Sequence, residues 1–147
     1  MDNILAEFFE RDFNKLIDEV NLFKDEKDLW KIKGSVKNSA GNLVLHIIGG
    51  TNHRIGAVLG NTGYIRDREA EFNKKDVNSV ELVVELHKLV KVVATTINAL
   101  EPEDMEKEYP VFFDKPGTTI GYVLTQLLLH LNYHLGQVNY LRRILEQ

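Results

Sequence analysis

Residues 118–145 read TTIGYVLTQLLLHLNYHLGQVNYLRRIL, and the fold follows from how this stretch is read. From Gly117 to Leu141 there is no Asp, Glu, Lys or Arg, a run long enough to suggest a membrane span. Thr118, Thr119, Thr125, Gln126, His130, Asn132, His134, Gln137 and Asn139 interrupt it, which makes it too polar to cross a bilayer. Its apolar residues recur at helical spacing. With His130 at zero on a helical wheel, Val123, Leu127 and Leu141 fall within about 60°, and Leu124, Leu128, Leu131 and Leu135 widen the arc to about 160°. The stretch is therefore a largely buried helix that starts at Thr118 or Thr119, where a hydroxyl can cap the first turn.

Three more segments share this periodicity. From about Asp2 to Phe23, residues Leu5, Phe9, Phe13, Leu16, Val20 and Phe23 form one helical face, with Glu, Asp, Arg and Lys on the other. A second helix fits about Ser39 to Leu59 despite Gly41, Gly49, Gly50 and Gly56, which point to close packing, room for a ligand, or a kink. A third opens at Asn78, paired with Glu81 in the manner of a capping box, and runs to about Leu100 with Val80, Val83, Val84, Val90, Val93 and Ile97 as its buried stripe. Between them lie KDEKDLWKIKGSVKNSAG (24–41), GNTGYIRDREAEFNKKDV (60–77) and EPEDMEKEYPVFFDKPG (101–117). The second of these is long enough to be an ordered functional loop or flap, or to hold a short extra helical turn. The expected architecture is all-α: one domain over residues 1–147, a four-helix bundle with long connections.

Composition narrows the chemistry. The chain has 147 residues and no Cys, which removes disulfides, thiolate metal sites and a Cys nucleophile together. A net charge of -4, without a dense basic run, argues against a nucleic-acid partner. The start MDNILAEFFERDF lacks a basic segment followed by an apolar one and does not read as a signal peptide, so the cytoplasm is the expected compartment. No P-loop, dinucleotide fingerprint or Gly-x-Ser-x-Gly elbow occurs.

What remains is histidine. His130 and His134 are four residues apart, about 40° around the helix and about 6 Å along it, so both imidazoles can reach one metal ion. Leu131 follows His130, which rules out the HExxH general base, and no Glu lies three residues before any His, as di-iron bundles require. A third ligand must come from elsewhere. His46 and His53 share a face of the second helix but sit about 10.5 Å apart, too far for both to hold one ion. His46, among Leu43, Val44, Ile47 and Ile48, is the preferred candidate; a core histidine bonded to a neighbouring helix is the alternative. His87 lies between charged neighbours and receives no role.

The phrases GNLVLHIIGGTNHRIGAVLG (41–60), YIRDREAEF (64–72) and HLNYHLGQVNYLRRIL (130–145) resemble the DinB-like superfamily of metal-dependent helical bundles, over nearly the whole chain and in helix order. The resemblance implies a divalent ion, zinc or nickel, held by one His of the second helix and two of the last, here His46, His130 and His134. It also implies an enzyme acting on a small molecule, by transfer of a low-molecular-weight thiol or by hydrolysis, and a homodimer packed through helices. The alternative is a non-catalytic metal-binding or dimerising bundle of stress-response type. Three neutral imidazoles would leave the ion its full charge and an open position. Asn42, Gly50, His53 and Gln137 are candidates to line the pocket or orient the rings, with Asp67 and Glu71 as further ring partners by position. For Arg54, Arg66 and Arg68, solvated or ion-paired side chains are expected ahead of substrate contacts.

Overall fold

A burial pattern of period 3.6 runs through every long element of the computed structural model, which describes residues 3–146. Among these residues the regular structure is all helical: α1 (Ile4–Leu22), α2 (Ala40–Thr51), α3 (Arg68–Asn73), α4 (Ser79–Asn98) and α5 (Ile120–Leu145), with isolated β-bridges only in the last connection. Asp2, expected at the head of the first helix, lies outside the described residues. No helix among the described residues is long and apolar enough to cross a membrane.

Short polar side chains start each long helix where the sequence offers them. Asn3, Ser39, Asn78 and Thr119 cap α1, α2, α4 and α5 by accepting from the backbone N–H groups of Ala6, Asn42, Val80 and Tyr122. At α4 the cap is Asn78 alone, without the reciprocal Glu81 bond of a capping box. α1 packs on α4 and α5, and α2 packs on α4 and α5, so the core lies between two antipodal pairs. Phe9, Phe13, Leu16 and Val20 of α1 meet Leu124, Leu131 and Val138 of α5 in one continuous apolar cluster.

Two expectations are corrected here, for α4 and for the second helix, and the charged face of α1 adds a further finding. The buried stripe of α4 is Leu82, Leu86, Leu89, Val93 and Ile97, while Val80 and Val84 are exposed. Two apolar sets interleave on this helix about 160° apart, and burying the leucines removes more apolar area from water than burying the valines. The charged face of α1 is not wholly solvated: Asp12 and Glu19 are buried against α5, where Asp12 accepts from Asn132 and Glu19 from Asn139 and Arg142. The second helix does not run evenly from Ser39 to Leu59. It is α-helical to Thr51 and continues as a π turn over Asn52–Ala57, with Val58 N–H donating to His53 O and Gly60 N–H to Ile55 O.

The 60–77 connection contains the short helix α3, capped by Asp67, which packs on α2. Asn42, fully buried in α2, donates from Nδ2 to the carbonyls of Glu71 (3.0 Å) and Lys74 (2.8 Å) and so staples the two helices. The connections at 24–41 and 101–117 hold 3-10 turns, Glu26–Trp30 and Pro102–Glu106.

Candidate metal centre

The packing of α2 on α5 brings three histidines together. His130 Nε2 lies 3.4 Å from His46 Nε2 and 2.9 Å from His134 Nε2, and the three ring planes are close to perpendicular to one another. One nitrogen from each of the three rings falls within 4.8 Å of the others. Two nitrogens held at about 2.0–2.1 Å from one zinc ion lie about 3.3 Å apart at a tetrahedral angle and about 2.9 Å apart at a right angle, the separations seen here.

The outer nitrogens decide which way the lone pairs point. His46 Nδ1 is 3.0 Å from Glu71 Oε1, and an ionised carboxylate only accepts, so Nδ1 carries the proton and Nε2 is bare. His134 Nδ1 is 2.7 Å from Gln137 Oε1, with the same result. His130 can supply one Nε2 proton, so at most one of the two facing lone pairs is satisfied without a cation. The donor set fits a divalent ion better than a hydrogen-bonded network.

Electrostatics agree. Desolvation lowers the His46 pKa despite the opposing bond to Glu71. His130 faces the cleft, but its Nε2 end is crowded, and desolvation followed by the charges of His134 and His46 pushes it down to about 4. The unfolded chain would bind protons here near the ordinary value of 6.5. Between that value and about 4 the unfolded state therefore holds more protons than the folded one, and stability falls as pH falls. For chelator-stripped protein we expect the melting temperature to drop from pH 7 to pH 4.5, roughly that window, and His130→Ala to flatten part of the drop. Equal slopes in the two proteins would contradict this.

Of the two carboxylates expected by position as ring partners, Asp67 and Glu71, it is Glu71 that meets a histidine ring. It is 5% exposed, and besides His46 it accepts from Arg66, Nε to Oε2 at 2.8 Å and Nη2 to Oε1 at 2.9 Å. Gly49 makes the room: a Cβ built there would fall on the Glu71 carboxylate. The neighbouring Phe72 ring lies 4.9 Å from the His46 ring. α3 thus brings both a carboxylate and an aromatic wall to His46.

Other expected residues fall elsewhere. Asn42 makes no hydrogen bond to the three rings among the described residues; it holds the backbone of Glu71. Asp67 caps α3. His53 sits in the π turn and is not part of the three-histidine group, and His87 is exposed on α4. Gly50 does line the cleft beside the histidines, a cavity of about 460 Å³. Its walls also include Arg54, Arg66, Arg68, Phe113, Asp114 and Gln126, so the arginines expected as solvated or ion-paired side chains border the site, Arg66 in the expected ion pair, with Glu71.

No curated relative matches this sequence. A family model described as a protein of unknown function (DUF1572) matches residues 4–147, and with almost the entire chain covered the protein belongs to the DUF1572 family.

Proposed function

We propose that His46, His130 and His134 hold one divalent ion, zinc or nickel, and that this chain is a metal-dependent enzyme of the DinB-like type, one domain built as a four-helix bundle from α1, α2, α4 and α5. The observation that carries the reading is the convergence of three Nε2 atoms, two of them, on His46 and His134, in rings whose outer nitrogens are already committed to Glu71 and Gln137. Held by these three neutral imidazoles, such an ion would supply Lewis acidity that lowers the pKa of a water or thiol and so favours a nucleophile at neutral pH. That chemistry suits transfer of a low-molecular-weight thiol to a small electrophile, or hydrolysis.

The chain's own residues supply the rest. Glu71 fixes the tautomer and orientation of His46, and Gln137 does the same for His134. Arg66 pairs with Glu71 and offsets the charge buried there. Phe113, Leu127 and Leu131 give the cleft an apolar wall on which a small molecule can shed water.

Elemental mass spectrometry on untagged protein tests this, since a polyhistidine tag would confound the count. About one equivalent of metal per chain is expected by analogy with open three-ligand sites; protein free of metal after growth in metal-replete medium sinks the reading.

A second reading has its own observation. Leu129, Tyr133 and Tyr140 are exposed along one side of α5, at 59%, 65% and 66%, which favours a bundle that pairs with a second copy and uses its metal for structure alone. If so, chelation should unfold the protein or split a dimer seen by sedimentation. Protein that keeps its fold and mass without metal favours the catalytic reading.

A further inference from the structure

Arg54 differs from every other cation at the cleft. Arg66 spends its charge on Glu71, whereas Arg54 is partly buried and forms no ion pair with a carboxylate among the described residues. Its guanidinium lies 4.6 Å over the Phe113 ring, which holds the plane of the fork without neutralising it. Desolvation, followed by the charge of Arg66, lowers its pKa, the signature of a cation short of a counter-charge. A guanidinium stays protonated all the same.

The backbone beneath it is held as well. In the π turn, Val58 N–H bonds to His53 O and Leu59 N–H to Ile55 O, so the Arg54 carbonyl is passed over by the helical ladder. Tyr109 takes it, donating its hydroxyl at 2.7 Å. A side chain fixed at its root by Tyr109 and along its plane by Phe113 is preorganised, and it opens into the same cleft as His46 and His130. Arg68, exposed at the rim and also without an ion pair among the described residues, adds positive potential. Asp114, on the wall, is engaged by the Tyr122 hydroxyl at 3.0 Å.

We propose that Arg54 is a specificity-determining residue that anchors an oxyanion, a carboxylate or a phosphoryl group, on the small molecule the cleft accepts. This rests on reading the cleft as a substrate site. A planar fork recognises both anions through paired charge-assisted hydrogen bonds. Burying a charge unpaired is unfavourable, so an anionic ligand relieves a penalty that a neutral one leaves in place.

The test is calorimetric titration of the full-length protein with succinate, methylphosphonate and the neutral succinamide, as purified and after chelation. Each anion, or one of the two, should bind more tightly than succinamide, and the one that binds tells carboxylate from phosphoryl recognition. Arg54→Gln should weaken that binding by about ten- to a hundredfold, with Arg54→Lys recovering part of it. Persistence of the Arg54 dependence in metal-free protein supports the anchor even if no metal is ever found. Binding abolished by chelation but equal in wild type and Arg54→Gln would overturn the anchor while leaving the metal reading intact. Failure of both anions to bind the wild type would overturn it too. Should Arg54→Gln not fold, Arg54→Lys and the shift of the Arg54 Nε–H resonance on titration of the wild type decide the matter; an unmoved resonance overturns the proposal.

Discussion

His130→Ala is expected to keep its fold and lose its metal. Of the three histidines it is the exposed one, while His46 and His134 are partly buried, so truncating it disturbs little packing. Surface changes of this kind usually stay within about 0.5 kcal/mol. Its Nε2 is nevertheless the hub of the cluster, 3.4 Å from one partner nitrogen and 2.9 Å from the other. Removing it leaves two ligands on different helices. The loss of affinity should exceed the roughly ten- to hundredfold that follows removal of an outer partner of a ligand. His53→Ala is the control, because His53 is not in the group and its loss should leave the metal count unchanged. A His130→Ala protein that still carries a full equivalent would mean that the ion binds elsewhere.

Gly49→Ala is expected to act on the same site without touching it. The added methyl would occupy the position of the Glu71 carboxylate, which is 5% exposed and cannot move aside without leaving His46 and Arg66. Overpacking costs about 1–3 kcal/mol and breaking a buried ion pair about 3–5, set against up to about 1 regained because Ala is the better helix former. A net loss of about 3–8 kcal/mol in urea unfolding follows from those terms, with metal affinity down by about ten- to a hundredfold. The discriminating measurement is a double-mutant cycle. In a Glu71→Ala background the clash is gone, and Gly49→Ala should be neutral or stabilising. Additive effects would show that Gly49 is not there for Glu71.

How much of this could be read from the residues depends on the range of the interaction. The helical character of α5, its Thr119 cap and the one-turn spacing of His130 and His134 are local, and local pattern suffices for them. The choice of His46 over His53 follows from helical rise and the apolar neighbours of His46. The pairing of His46 with Glu71 is different: the two are 25 residues apart and joined only because Asn42 and Gly49 let α3 dock on α2. Asp12 and Glu19 look like surface acids because their partners Asn132, Asn139 and Arg142 lie at the other end of the chain. On α4, leucines and valines both keep helical register, and only the neighbouring helix decides which set is buried. The π turn leaves no mark in hydrophobic spacing, so the placement of Arg54 at the cleft could not be read from it.

A helix in π register holds one residue more than its ladder needs. Deleting a single residue within Asn52–Ala57 would therefore let α2 run on in ordinary α register, with the elements on either side kept in phase. Elsewhere in a helix the same deletion would rotate everything after it by about 100°. This segment can shorten without breaking the helix, and the loss would fall on the carbonyl that Tyr109 holds and on the angle at which Arg54 enters the cleft. Tolerance to a change in length and fitness of the site are thus separable at this point of the chain.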